Sequence, residues 1–318
     1  MKLKYKIIIL SVLAILSIIL FLFYQLGPNW DYVLPRRATK IFAIVLTGSA
    51  IAFSTVIFQT ITGNRILTPS IIGLDSLYML LQTFLIFAFG STSLIAMNKN
   101  FNFMISVLLM VMFAFVLNRF FFKGEGRNIY FLLLVGIVFG TLFGSLSTFM
   151  QVLIDPNEFM LVQDRMFASF NNVNTDLLTL AVVLLIAIFL YVARFMKYLD
   201  VLSLGKEHAI NLGVPYNLVV QRLLIVIAIL VSLSTALVGP ITFLGLLVAN
   251  VTYEFMKTYQ HKYLLVASML ISIIALVGGQ FIVERVFTFS TTLSVIINFI
   301  GGVYFIYLLL RESKSWSK

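Results

Sequence analysis

The stretch "FQTITGNRILTPSIIG", Phe58 to Gly73, sets Gln59, Gly63, Asn64, Arg65, Pro69 and Gly73 between two hydrophobic runs, 38–61 and 71–90. A bilayer core about 30 Å thick takes roughly 20 residues of apolar helix, and each run is long enough to cross it. Polar groups and helix breakers at this point mark a turn between two membrane spans. Gly63 would end one helix and Pro69 would restart the next.

The same reading extends outward along the chain. Ten apolar runs lie near 7–26, 38–61, 71–90, 101–122, 128–150, 177–196, 218–238, 243–257, 263–283 and 292–310. With 61% hydrophobic and 11% charged residues and a mean hydropathy of +1.07, against about 25% charged for a soluble domain, the chain reads as an all-α integral membrane protein with ten transmembrane helices. The eighth run is short and opens on "GPITFLG", which predicts a broken helix, a device tolerated where protein or a cavity satisfies the freed backbone. "MKLKYK" precedes about 20 apolar residues with no small-x-small site after them, so this segment is expected to be an uncleaved first span. The longest polar interruptions, 151–176 and 197–217, are too short for a second domain, and residues 1–318 read as one transmembrane domain. Within 151–176, Phe159, Met160, Leu161, Met166, Phe167 and Phe170 suggest a short amphipathic helix resting on the bundle or the interface.

The net charge of +10 would suggest nucleic acid in a soluble chain, but here it first reports topology. With the N-terminus inside and ten spans, sixteen of the twenty-two Lys and Arg fall on inner segments: Lys2, Lys4, Lys6, Arg65, Arg119, Lys123, Arg127, Arg194, Lys197, Lys206, Arg222, Lys257, Lys262, Arg311, Lys314 and Lys318. Outer segments keep Arg36, Arg37, Lys40, Lys99, Arg165 and Arg285. This positive-inside bias predicts both termini in the cytoplasm, and the net charge then calls for no nucleic-acid partner.

Several chemistries lack their residues. No cysteine is present, so thiol and iron–sulfur chemistry is excluded. No phosphate-cradling G-x-x-x-x-G-K-[ST] loop occurs, since "LGKEH" at 204–208 lacks the upstream glycine and the hydroxyl. The chain is therefore no ATPase itself. His208 and His261 fall on predicted cytoplasmic loops without paired spacing and read as solvated residues. An ion-coupled carrier would place carboxylates at mid-membrane. Asp75 and Glu254 fall near predicted inner ends and Glu284 stands beside Arg285 at an outer end, so local pairing or snorkelling is expected, and a secondary transporter is the rival from another class.

A path driven by ATP without its own ATPase needs a cytoplasmic docking surface. "LSLGKEHAINLGVPY", 202–216, has Gly205 and Gly213 flanking a short predicted helix, with Ala209 and Leu212 set to enter a groove and Lys206 and Glu207 on its rim. Taken alone, these residues fit an ordinary solvated loop equally well. The chain as a whole resembles the permease subunits of the ABC importers for iron–siderophore, haem and cobalamin, the FecCD type. The family pattern L-G-x-x-x-A-x-x-L-G is met by Leu204, Gly205, Ala209, Leu212 and Gly213. N-P-L-A-x-P-x-x-L-G resembles Asn64, Ile66, Pro69, Ile72 and Gly73, preceded by the family's glutamine at Gln59. G-P-I-x-F-x-G-L resembles Gly239, Pro240, Ile241, Phe243, Gly245 and Leu246, and "GGVYFIYLLLR" (301–311) is similar to G-x-P-x-F-x-Y-L-L-x-R. Four motifs in order make the resemblance specific. Arg65 departs from a usual proline, and Ala249 and Asn250 from a frequent Pro-His.

The resemblance implies a type II ABC importer permease fold working as a homo- or heterodimer with a second permease. It also implies two ATP-binding cassette subunits, which bind ATP and Mg, and an extracytoplasmic binding protein that delivers the substrate. No cofactor is expected on this chain. The implied cargo is a ferric siderophore, with a catecholate type as one candidate and cobalamin or haem as the alternative. By the same resemblance the loop about 197–217, with Leu204, Gly205, Lys206, Glu207, Ala209, Leu212 and Gly213, couples to the ATPase. Asn64 and Ile66 take inner-gate positions, Ser147 and Thr148 line the outer gate or path, and Arg36, Arg37 and Arg285 dock the binding protein through bidentate carboxylate pairs. The small residues of "GTLFGSLSTFM", 140–150, suggest close helix packing.

Overall fold

The computed structural model describes residues 2–91, 93, 98–122, 129–171, 173–289 and 291–316, with the backbone alone for 120–122 and 311–316. Lys123, Arg127 and Lys318 of the topology count lie outside the described residues, as do the side chains of Arg311 and Lys314. Among the described residues there are helices and no strands. In chain order they are α1 (Leu3–Phe23), α2 (Trp30–Thr62), α3 (Leu74–Phe89), α4 (Lys99–Phe122), α5 (Ile129–Leu153), α6 (Pro156–Met166), α7 (Thr175–Ala193), α8 (Met196–Leu202), α9 (Lys206–Asn211), α10 (Tyr216–Val238), α11 (Leu244–Met256), α12 (His261–Arg285) and α13 (Leu293–Trp316). A 3₁₀ turn, Pro69–Ile72, precedes α3.

Eight of these helices are long and apolar enough to cross a membrane. The other two apolar segments, α3 with 16 residues and α11 with 13, are shorter, and each follows a break that the sequence announces. Gly63 closes α2 in the left-handed conformation (φ +62°), and Pro69 opens the 3₁₀ turn. Before α11, residues 239–243 leave the helix, with Gly239 at φ +99° and Pro240 next to it. The eighth segment is thus short, but its helix is not broken: Leu244–Met256 runs continuously and the irregular residues lie before it.

Burial sorts the helices into centre and rim. Over its most apolar stretch α2 has 83% of its residues buried, against 17% for α1, so α2 is the axis of the bundle and α1 lies on its rim. α2 packs on α7, α10, α11 and α12. Hydroxyls that would be unsatisfied in this core bond back to the preceding turn: Thr47 to the Ala43 carbonyl at 2.7 Å and Thr55 to that of Ile51 at 2.7 Å.

At one end of the bundle, Lys6 Nζ donates to the carbonyls of Phe255 (2.5 Å) and Met256 (3.2 Å), joining the start of α1 to the end of α11. The end of α2, α8 and the start of α12 meet at this same end. At the opposite end lies α6, the expected amphipathic helix. Asp155 caps it by accepting from the Asn157 N–H at 2.9 Å, with Pro156 in its first turn. Val162 is buried among Ile86 and Ile154 with Phe159 beside it, whereas Met160 and Leu161 are exposed. A buried polar chain fastens the helix down: Arg165 Nη1 donates to Gln82 Oε1 at 2.8 Å, and the Gln82 amide donates to Asn102 Oδ1 at 2.8 Å and Ser106 Oγ at 3.1 Å.

The 3₁₀ turn lies backbone to backbone on α5. A Cβ added at Gly136 would sit 2.7 Å from the Ile71 carbonyl oxygen and 2.8 Å from Ile72 Cα. Gly73 (φ +86°) meets Gly136 and Gly140 in the same contact. Close packing by small residues is present, but shifted along the helix, since Gly144 has open space where a side chain would go.

Candidate functional site

The turn that follows α2 is built on one carbonyl. Gln59 Nε2 donates to the Arg65 carbonyl at 2.7 Å, and Asn250 Nδ2 of α11 donates to the same oxygen at 3.0 Å. Gln59 and Asn250 are both buried. Asn64 Oδ1 accepts from the Ile66 N–H at 2.8 Å, a side-chain turn that fixes where Ile66 stands. The Arg65 guanidinium lies 4.7 Å from the Tyr253 ring centre, one turn beyond Asn250. Arg65 and Asn250, two of the three departures from the family pattern, are therefore in contact with each other. Asn64→Ala removes one hydrogen bond, about 1 kcal/mol, and uptake is expected to fall roughly fivefold with membrane insertion unchanged; equal uptake at equal protein level would separate Asn64 from gating.

His261 needs correcting. It is 2% exposed rather than solvated. Its backbone N–H and its ring Nδ1 both meet Asp200 Oδ1, at 2.8 and 2.7 Å, and Nε2 stands 2.7 Å from Thr60 Oγ1. Asp200 thus caps α12, a role that no local spacing reveals. His208 is exposed, as expected.

The loop 202–216 folds as expected into a short helix, α9, but with a different outward face. Ala209 is fully buried against the bundle, while Leu204, Ile210 and Leu212 are exposed. Lys206 and Glu207 are exposed beside them. Gly205 at φ +99° and Gly213 at φ +80° make the two bends that set this orientation. Ala209 is consequently a packing residue, and Ile210, which the motif does not mark, shares the outward face.

At the other end of the bundle, Arg36, Arg37 and Arg285 line one open cavity of about 870 Å³ together with Lys40, Lys99 and Glu284. Arg37 is corrected by its own hydrogen bonds. Its Nη1 donates to the carbonyls of Phe21 (3.1 Å), Leu22 (2.9 Å) and Tyr24 (2.8 Å), satisfying the last turn of α1, and the residue is buried. Arg285 reaches the Tyr24 carbonyl at 3.3 Å and Gln25 Oε1 at 3.4 Å. Arg36 is exposed, with its guanidinium 4.2 Å from the Tyr32 ring centre. Glu284 pairs with Lys40 at 2.7 Å rather than with its neighbour Arg285.

Ser147 is also corrected. It is buried, 2.9 Å from Thr83 Oγ1 of α3, and accepts from Gln151 Nε2 at 2.9 Å. It belongs to the α3–α5 contact and not to an open face. Thr148 is exposed and bonds the Gly144 carbonyl at 3.0 Å. Asp75 neither snorkels nor forms an ion pair among the described residues: it accepts from Thr235 Oγ1 at 3.1 Å, beside a small cavity that Ser54, Thr55 and Ser234 also line.

The geometry gives one end that carries the loop 202–216 and an opposite end that carries the arginine-lined cavity, joined by a bundle with α2 at its centre. The model of the FecCD transport family matches residues 5–311. The petrobactin import system permease protein YclO of Bacillus subtilis (strain 168) is 70% identical over 99% of this chain and 100% of that protein. The petrobactin import system permease protein FatC of Bacillus anthracis is 37% identical over 90% of this chain and 81% of that protein. In fold, the chain matches a solved structure described as an inward-facing conformation of a metal-chelate type ABC transporter, with a TM-score of 0.85 and 20% identity, over 97% of this chain and 99% of that one.

Proposed function

Because this chain belongs to the FecCD transport family, the permeases of ABC importers for ferric siderophores, we propose that the cargo it passes inward is a ferric siderophore of the petrobactin kind. The chain is a multi-pass permease of the bacterial cell membrane that works with other ABC components. The single observation that carries the choice of cargo is the 70% identity, end to end, with a petrobactin import permease.

In this reading the chain has ten spans and cytoplasmic termini, pairs with a second permease, and sits between two ATPase subunits and a binding protein. ATP and Mg stay on the ATPases. Leu204, Ile210 and Leu212 fill a groove of the ATPase while Lys206 and Glu207 border it, which is how an exposed apolar trio on a polar loop is accommodated. Arg36 meets an acidic residue of the binding protein, with Arg285 supporting the same rim and Arg37 holding it in shape. The segment held through the Arg65 carbonyl, with Asn64 and Ile66, closes the path toward the cytoplasm, and Thr148 faces it nearer the outer end.

The test is uptake of radiolabelled ferric petrobactin by cells whose own petrobactin permeases are deleted and which express this chain with its partner subunits. Uptake restored for ferric petrobactin and absent for cobalamin and haem is expected. Restoration for cobalamin or haem instead would assign the chain to the alternative cargo.

A further inference from the structure

Around the cytoplasmic end of α2, four elements distant in sequence meet at a cavity of about 720 Å³, lined by Gln59, Thr60, Arg65, Leu204, Tyr253 and His261 among others. Leu204 belongs to the loop assigned above to ATPase docking, and Arg65 to the segment assigned to the inner gate. Between them runs a series of polar contacts, joined through the backbones of α8 and α2. Leu204 and Gly205 donate their backbone N–H groups to Val201 (3.1 Å) and Leu202 (3.0 Å), so the turn is bonded to α8. On α8, Asp200 binds the backbone N–H and Nδ1 of His261. His261 Nε2 meets Thr60 of α2, and the adjacent Gln59 holds the Arg65 carbonyl.

Each link is constrained chemically. A carboxylate only accepts, so the contact with Asp200 places a proton on Nδ1 and fixes the ring orientation. His261 and Gln59 are 2% exposed and Thr60 is 8% exposed, so water is a poor substitute for their partners. Asp200 remains partly exposed, its side chain at 41%, so the outer end of the series lies where the docking loop would be displaced. His261 also begins α12, one of the helices packed on α2. A shift of α8 therefore pulls on the start of α12 and on the last turn of α2 together.

We propose that Asp200 and His261 are positioning residues that carry movement of the docking loop to the inner gate, through Thr60 and Gln59 of α2. The inference rests on the docking and gating roles proposed above. A merely structural cluster would make its variants lose assembly, with uptake and ATP hydrolysis falling in proportion. A transmitting cluster separates the two.

The test uses the complete assembly in proteoliposomes, with ferric petrobactin as cargo, and reads iron taken up per ATP hydrolysed for Asp200→Asn, Thr60→Val and the double variant. Thr60→Val keeps the side-chain shape and removes the contact with His261, together with the hydroxyl's bond back to the Val56 carbonyl within α2, so it decides the matter should Asp200→Asn fail to assemble. Each single variant is expected to lower the ratio about tenfold while hydrolysis stays stimulated by the loaded binding protein, and the double variant to be no worse than the singles, because links in one series are not additive. An unchanged ratio, a proportional fall of uptake and hydrolysis, or multiplicative effects in the double variant would overturn the inference. Ile210→Glu, run alongside, separates the two levels. If it leaves uptake and hydrolysis untouched, the docking assignment has failed; if it abolishes stimulated hydrolysis while the ratio in Thr60→Val is normal, only the transmission has failed.

Discussion

Leu212→Glu is expected to lower ATP-driven uptake roughly a hundredfold while the chain remains in the membrane at its normal level. Leu212 is 64% exposed and makes no part of the buried core, so the change costs the isolated fold little. Leu204 and Ile210 are exposed on the same loop at 57% and 49%. A carboxylate placed among these apolar anchors has to be buried without a partner when the ATPase docks, a penalty of about 3 kcal/mol for a central anchor. The measurement is co-purification of the ATPase together with uptake. Ala209→Glu is expected to behave differently, because Ala209 is fully buried within the chain itself, and to lower the amount of inserted protein instead.

Gly136→Leu is expected to lower the thermal stability of the folded chain, and Gly144→Leu to leave it near its normal level. The two glycines lie two turns apart on α5 with opposite surroundings. At Gly136 a Cβ would press on Ile71 and Ile72 backbone atoms, which cannot rotate away as a side chain can, whereas at Gly144 nothing lies within 4 Å. Overpacking against backbone costs about 3 kcal/mol, enough to matter to a protein whose stability is of order 10 kcal/mol. Thermal stability in detergent measures the difference. Because the 3₁₀ turn next to Gly136 continues the segment that holds Asn64 and Ile66, any Gly136 variant that survives is expected to move iron poorly.

Much of this architecture was legible because the bilayer makes hydropathy decisive. Runs of about 20 apolar residues have few alternatives to helix, and the breaks at Gly63–Pro69 and Gly239–Pro240 follow from backbone geometry. The direction in which a residue on a short loop helix points was less legible. Ala209 and Ile210 are adjacent, yet one is buried and the other exposed, and the choice depends on how Gly205 and Gly213 turn the helix against α8 and α10. Contacts between distant residues were not legible. His261 finds Thr60 across 201 positions and Asn250 finds Arg65 across 185, and no local pattern encodes such pairs. Arg37 and Ser147 were misplaced for the same reason: an arginine at a helix start and a serine in a small-residue run each have a partner on another helix that only the packed bundle supplies.

The central claim, that this chain passes ferric siderophore as the permease of an ATP-driven importer, is tested most directly by its energy source. Proteoliposomes holding this chain with its second permease and ATPases, supplied outside with loaded binding protein, are expected to accumulate iron when ATP is enclosed and to continue when a protonophore collapses any proton gradient. Accumulation by this chain alone, driven by a proton gradient without ATP, would contradict the account and make the molecule a secondary transporter.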